Sequence, residues 1–230
     1  MNLKPIARWT GAAYLTLAIA GGFTWLGARG QLFVAGDPTE TLARLTDNPG
    51  LVHLGLAADV LTVVAQALAA LGFYALIRRD RPVAALGVAA FGLANALTIF
   101  MSAVFNLTAL AVVTQPSLAP GGDAAATVGL LYTMSGASWT IGNVFFGLWL
   151  IPMGWFAIST LRWPRVLGWF LIAGGVGYVV AAFIGGLSPE LSSTVGNALP
   201  LPATVGELWM VGYLLSLGIR PTVATTTLEA

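Results

Sequence analysis

Six runs of predominantly apolar residues divide the chain and constrain its fold more than any other feature. Each run is near the length of about 20 residues that a helix needs to cross the roughly 30 Å hydrocarbon core of a bilayer. Hydrophobic residues make up 57% of the chain and charged residues 8%, against about 25% charged residues in a soluble domain. The pattern predicts an all-α, polytopic membrane helical bundle with six transmembrane helices, over residues 7–27, 51–77, 83–106, 137–160, 166–187 and 200–219.

The basic residues are segregated between the loops that join these runs. Six spans place eight of the ten Lys and Arg residues on one side of the membrane, and only Arg29 and Arg44 on the other. Because cytoplasmic loops carry an excess of Lys and Arg, both termini are expected in the cytoplasm. An odd number of spans would put basic loops on both sides. We therefore expect one transmembrane domain over residues 1–221, followed by a cytoplasmic tail over residues 222–230.

A short amphipathic helix is predicted on the outer surface, between the first and second spans. Asp37 can cap its first turn, Pro38 suits the first helical position, and Glu40 is placed to bond back to the cap in a capping-box arrangement. An apolar stripe follows, formed by Leu42 and Leu45. The sequence leaves two interpretations open, a lid over the bundle and a plain connecting helix.

Two further features concern how the spans begin and pack. Residues 123–136 are also apolar, so they either extend span four outwards or form a separate helix that breaks near Gly136. In span five, small residues favour a close approach of another helix backbone; they are Gly174, Gly175 and Gly177. Four tryptophans near the span ends are expected to anchor the chain at the membrane interfaces: Trp9, Trp25, Trp163 and Trp169.

Polar residues within the spans indicate where a site could lie. Asp59, Thr62 and Gln66 share one face of span two, which must point inwards. Asp59 and Glu207 each lie eight residues from the outer end of their spans, at a depth of about 12 Å. The same outer half carries amides and aromatic residues that we assign to ligand binding together with Thr62 and Gln66; they are Asn106, Trp139, Asn143 and Trp209.

The residue inventory excludes several kinds of site. The chain has no cysteine and only one histidine, His53, so a disulfide frame, a thiolate nucleophile, an iron–sulfur cluster and a multi-histidine metal centre are ruled out. Its only lysine, Lys4, lies outside the bundle, which excludes a Schiff base to retinal inside it. The net charge is +1 and no basic stripe is present, so no nucleic acid is expected as a partner. We expect no metal and no cofactor.

Asp59 and Glu207 are the residues on which a functional interpretation depends. Two carboxylates in one site of low dielectric constant cannot both ionise at small cost, so at least one is expected to hold a proton near neutral pH. Intramembrane acids usually have functional roles, and this favours a shared polar pocket with aromatic walls. The alternative is that each acid is a hydrogen-bonded tie between helices.

Four stretches, in this order, resemble a multi-pass membrane protein family of bacteria, domain of unknown function 4386. They are "ARWTGAAYLTLAIAG", "VFFGLWLIPMGW", "PRVLGWFLIAGGVGYVV" and "GELWMVGYLLSLGI". The matching residues are Phe146, Gly147, Pro164, Arg165, Leu167, Gly168, Glu207 and Trp209. Span two, which carries Asp59, is less similar. The resemblance covers nearly the whole chain and implies a helical bundle in the bacterial plasma membrane, but no reaction.

Three functions remain open at this point, and the sequence does not decide whether the protein is an enzyme. The first is a pocket around Asp59 and Glu207 that binds a small lipophilic or cationic molecule, as in a sensor, a resistance factor or a partner subunit. The second is a membrane-embedded terpene or prenyl cyclase, in which one of these acids donates the initiating proton. The third is a proton-coupled transporter, for which six spans would favour an oligomer. Membrane lipids are the expected partners in each case.

Overall fold

In the computed structural model of the chain, the structure describes residues 3–187, 196 and 198–221. Every regular element in those residues is a helix. In chain order the helices are α1 (Lys4–Leu32), α2 (Pro38–Asp47), α3 (Pro49–Ile77), α4 (Pro82–Thr114), α5 (Ala124–Thr160), α6 (Arg165–Leu187) and α7 (Leu201–Ser216), with two 3₁₀ turns, Pro116–Leu118 and Pro120–Gly122, between α4 and α5. The predicted tail, 222–230, lies outside the described residues.

Five of these helices are long and apolar enough to cross a membrane: α1, α3, α4, α5 and residues Arg165–Gly185 of α6. The expected helical membrane bundle is therefore supported. Several helices extend beyond the predicted spans, and α1 runs from Lys4 to Leu32 against the predicted 7–27. Residues from Ala124 onwards extend α5 as one continuous helix without a break at Gly136, and α4 continues to Thr114. The helix α7 has 16 residues, so the count of six spans stays a prediction.

The start of α2 follows the predicted cap in part. Asp37 Oδ1 accepts a hydrogen bond of 2.9 Å from the Glu40 backbone N–H, and Pro38 is the first helical residue. The Glu40 carboxylate does not complete the capping box, because it accepts a 2.8 Å bond from Arg44 Nε one turn further on. The Asp37 N–H instead donates to the Val34 carbonyl oxygen.

The chain divides into two compact units, and the divisions fall within α1, α3, α4 and α5. The first unit comprises Met1–Ala12, Leu71–Ala90 and Gly147–Ala230, and the second comprises Ala13–Ala70 and Phe91–Phe146. Each unit is described by itself below.

In the first unit, α6 packs along α7 through glycines, as the sequence predicts. A side chain at Gly174 would overlap the Ala203 backbone on α7, and one at Gly177 would overlap the Leu199 carbonyl. Small residues let two backbones approach closely, which is how helices associate in a lipid environment where apolar burial gives little driving force.

An aromatic cluster in the first unit corrects one of the predicted interface anchors. The Trp163 ring is 0% exposed and meets Phe156 and Phe73 edge to face, at centroid distances of 4.9 and 5.9 Å. Phe73 also meets the buried Trp149 at 5.8 Å. Trp163 is therefore a core residue and not an interface anchor. By contrast, Trp9 and Trp169 are 78% and 61% exposed.

A buried arginine joins two loops and the end of α7 in the same unit. Arg162 Nη1 donates to Asp80 Oδ2 at 2.5 Å, and its Nε donates to the Arg220 carbonyl oxygen at 2.8 Å. The Arg220 N–H donates in return to the Arg162 carbonyl at 3.2 Å. Asp80 lies between α3 and α4, and Arg162 between α5 and α6, so one side chain connects three segments that are distant in sequence.

In the second unit, α2 packs into a hydrophobic core. Leu45 is 2% exposed and belongs to a buried cluster with residues of α1, α3, α4 and α5. Thr41 is fully buried and accepts a 3.0 Å bond from the Val34 N–H. The apolar face of α2 therefore lies against protein and covers a group of residues that includes Ala28, Val52 and Tyr132.

Candidate functional site

Asp59 is the most deeply buried acid in the second unit. It lies on α3 with an exposed fraction of 1%. Its Oδ2 accepts a 2.8 Å hydrogen bond from Asn106 Nδ2 on α4, whereas its Oδ1 has no hydrogen-bond partner among the described residues. The Asp59 side chain is therefore a contact between two helices.

A small cavity lies beside Asp59, and all the residues that line it belong to the second unit. Its volume is about 20 Å³, which is enough for about one water molecule. The residues that line it are Thr24, Ala28, Arg29, Leu32, Val52, Gly55, Leu56, Asp59, Asn106, Tyr132, Ser135 and Trp139. Several of these also belong to the core cluster that α2 covers, so α2 packs over one part of the cavity wall.

Arg29 contributes the positive charge of this site. It ends a π-helical segment, Phe23–Arg29, within α1; such segments often mark functional positions. Its guanidinium lies over three aromatic rings, 5.1 Å from the centroid of Trp25, 4.5 Å from that of Phe33 and 5.8 Å from that of Tyr132. Cation–π contacts of this kind hold a guanidinium where little water reaches it.

Arg29 was not predicted as a site residue, because its position in the sequence indicated only a charge on the outer side of the membrane. The available signal was a single arginine in the glycine-rich stretch "AGGFTWLGARG", at the end of an otherwise apolar run. One glycine in another helix makes room for the side chain, because a Cβ at Gly136 would lie 2.7 Å from Arg29 Nη2.

Four buried polar atoms of the cavity residues make no short hydrogen bond in the described part of the chain, although the Thr24 side chain lies close enough to Asp59 to interact with its carboxylate. They are Thr24 Oγ1, Arg29 Nη1, Asp59 Oδ1 and Asn106 Oδ1. Arg29 and Asp59 attract each other electrostatically, but they make no direct ion pair. Leaving a buried polar atom unpaired costs about 1–3 kcal/mol. These atoms therefore make the cavity the most polar part of the interior of the second unit.

One wall of the cavity is aromatic. Trp139 on α5 lines it, and its ring lies 5.7 Å from that of Trp25 on α1 in a tilted arrangement. Trp25 is 40% exposed, so this pair of rings extends from the cavity to the surface of the second unit. Ser135 is held by a 2.7 Å bond with Ser102 of α4.

The other predicted residues of the second unit lie away from the cavity. The hydroxyl of Thr62 donates to the Ala58 carbonyl at 2.7 Å. Gln66 Oε1 accepts a 3.2 Å bond from Asn95 Nδ2, which forms a separate polar contact between α3 and α4. Asn143 is half-buried on α5 and does not line the cavity. The inward face predicted for α3 is observed, since Asp59, Thr62 and Gln66 are all buried.

Glu207 and Trp209 belong to the first unit. Glu207 is half-buried on α7 and interacts electrostatically with Tyr178 of α6. The Trp209 ring meets Phe170 at a centroid distance of 6.5 Å and is 39% exposed. All residues that line the Asp59 cavity belong to the second unit, so a pocket shared by Asp59 and Glu207 stays a prediction.

The described residues contain no group of three or more His, Cys, Asp or Glu side chains that could hold a metal ion. His53 is exposed at the start of α3, and its Nδ1 lies 2.7 Å from the Pro49 carbonyl oxygen. Among the described residues, the hydrogen-bond partner of the His53 side chain therefore lies in its own helix.

Comparison with known proteins identifies the family of this chain. No curated protein and no solved structure matches it. The family model "Domain of unknown function (DUF4386)" matches residues 9–218, which is nearly the whole chain and includes all or most of each described helix that could span a membrane. The resemblance inferred from the sequence motifs is thereby confirmed, and the chain belongs to the DUF4386 family.

Proposed function

We propose that the protein crosses the bacterial plasma membrane with six transmembrane helices and has both termini in the cytoplasm. We also propose that its cavity beside Asp59 binds the polar end of a small lipophilic molecule. The observation that carries the proposal is the convergence on one cavity of four buried polar atoms, of which those of Thr24 and Asp59 lie close enough to interact with each other. One of them belongs to an acid and one to an arginine, and both types are costly at membrane depth unless they have a role.

The proposed topology rests on α7 and on the basic residues. The 16 residues of α7 extend about 24 Å at the helical rise, so a modest local thinning of the bilayer would let this helix cross. Six spans keep eight of ten basic residues on one side, as the positive-inside rule requires. Five spans would separate the cluster Arg78, Arg79 and Arg81 from Arg220.

Arg29 defines the type of ligand. A cationic end group would be repelled by the guanidinium, so of the two ligand types that the sequence suggested we favour the lipophilic one. Its end group accepts a hydrogen bond from Arg29 Nη1 and donates one to Asp59 Oδ1; a hydroxyl or a carboxylic acid does both.

Binding requires a movement of the cavity wall. The present volume of about 20 Å³ holds one water molecule and not a lipophilic molecule. Trp25 and Trp139 form the wall closest to the surface of the second unit. We propose that these two rings separate to admit the apolar part of the ligand. The end group of the ligand then occupies the space beside Asp59 and Arg29.

The test uses three probes that share one apolar tail: farnesol, farnesoic acid and farnesylamine. We expect the alcohol or the acid to raise the unfolding temperature of the purified protein more than the amine does, and Asp59→Asn and Arg29→Gln to abolish the difference. Asp47→Asn is the matched control, because it makes the same change on an exposed acid of α2.

Two results would contradict the proposal. Equal shifts for all three probes would indicate nonspecific partitioning, and shifts that persist in both cavity variants would place binding elsewhere. Glu207→Gln, measured in the same series, tests whether the second acid contributes. Formation of a cyclised product from farnesol would instead favour the cyclase, and the lack of any product would leave binding as the function.

A further inference from the structure

We propose that a second site, a groove on the first unit, binds an anionic phospholipid. The groove has a volume of about 590 Å³, within the range of small-molecule pockets, and is open to the surface, so it holds part of a phospholipid. Its lining residues are Lys4, Pro5, Arg8, Trp9, Ala12 and Leu215. This site is independent of the cavity beside Asp59.

One end of the groove is cationic. Lys4 and Arg8 are exposed and lie one turn apart on the same face of α1. Of the acids that the structure describes in this unit, Asp80 is bound by Arg162, and Glu207 lies on α7 next to Tyr178. No described acid forms an ion pair with Arg8, so its guanidinium can bind a phosphate group.

The other end of the groove is apolar. Ala12 lies eight residues beyond Lys4, about 12 Å further along the helix. Leu215 of α7 forms the facing side, and Trp9 stands between the two ends with 78% of its surface exposed. Tryptophan prefers the level of the lipid headgroups, because its ring is apolar and its N–H is polar.

This order of charged, interfacial and apolar surface matches a phospholipid from its phosphate to its acyl chain. A free phosphate ion would use only the cationic end and would leave most of the groove empty. Anionic headgroups are preferred over zwitterionic ones, because each basic residue near a lipid surface contributes about 1 kcal/mol to the binding of negative charge.

Native mass spectrometry of the full-length protein, purified in detergent, tests this proposal. The protein is mixed with equal amounts of phosphatidylglycerol and phosphatidylcholine that carry the same acyl chains, and the ratio of the two bound lipids is measured. We expect wild type to favour phosphatidylglycerol, and Arg8→Gln to lower its preference about five-fold, the factor that corresponds to about 1 kcal/mol. Arg79→Gln, an exposed arginine outside the groove, is the matched control and is expected to keep the wild-type ratio.

Three results would overturn the proposal: an unchanged ratio in Arg8→Gln, an equal loss in Arg79→Gln, or complete competition by millimolar glycerol phosphate, which would indicate a site for free phosphate. Unfolding temperatures measured in phosphatidylcholine alone verify that Arg8→Gln is folded. If it is not folded, Lys4→Gln replaces it under the same criteria.

Discussion

Asn106 on α4 donates a 2.8 Å hydrogen bond to Asp59 on α3, a residue 47 positions earlier in the chain. Asp59 Oδ1 and Asn106 Oδ1 make no hydrogen bond of their own among the described residues, and both residues line the same cavity. This pair therefore joins two helices and places two acceptor atoms beside the cavity.

The strength of this pair can be measured by removing its donor. Asn106→Ala is expected to lower the free energy of unfolding by about 1–2 kcal/mol, because the Asp59 carboxylate is left buried without a partner. Asp59→Asn is expected to cost less than about 1 kcal/mol, since a carboxamide oxygen still accepts the bond from Asn106. Equilibrium unfolding in detergent would reveal the difference, and equal losses in the two variants would contradict it.

Arg162 is expected to be the most sensitive charged residue of the first unit. Arg162→Ala removes the bonds to Asp80 and to the Arg220 carbonyl, and should destabilise the protein by about 2–4 kcal/mol, since Asp80 is left largely buried without its partner. Arg162→Lys keeps the charge but cannot form both bonds from one planar group, so an intermediate loss is expected. The unfolding temperatures of wild type, Arg162→Ala and Arg162→Lys measure these losses. A loss no larger than that of Arg79→Gln, on the exposed surface, would show that these bonds contribute little.

The glycine contact between α6 and α7 predicts opposite outcomes for two similar substitutions. Gly174→Ala places a methyl group against the Ala203 backbone and should cost about 1–3 kcal/mol through overpacking. Gly212→Ala meets no atom within 4 Å and should be neutral or stabilising, because alanine favours the helix. We therefore expect Gly174→Ala to unfold at a lower temperature than Gly212→Ala. A lower unfolding temperature for Gly212→Ala would contradict the packing interpretation.

The absence of cysteine from the sequence allows a direct test of topology. Ser117→Cys, in the connection between α4 and α5, is expected to react with a membrane-impermeant maleimide in intact cells. Arg79→Cys, between α3 and α4, is expected to react only after the membrane is permeabilised. Both positions are exposed, so access to the aqueous phase limits labelling. The reverse pattern would invert the proposed orientation.

Local features were predicted best. The α2 cap at Asp37, the helix starts near Pro38, Pro49 and Pro82, and the inward face of α3 depend on residues within a few positions of each other. The helix ends were less accurate. The helix α5 begins at Ala124, some 13 residues before the predicted span, because apolar residues outside the hydrocarbon core still bury themselves against protein.

What the sequence by itself determined is the class of protein, because runs of apolar residues cannot satisfy their backbone polar groups in a bilayer except as helices. It also indicated that Asp59 faces the interior of its unit.

Which groups meet Asp59 was decided only by the tertiary structure. The contacts of Asn106 with Asp59 and of Arg162 with Asp80 join residues 47 and 82 positions apart, and they depend on how each helix is rotated about its axis. Arg29, which ends a π-helical segment of α1, lines the same cavity, and Trp163 is buried where two aromatic rings, Phe73 and Phe156, pack edge to face against it. Hydropathy carries no information about such rotations, since every face of these helices is apolar enough to meet either lipid or protein.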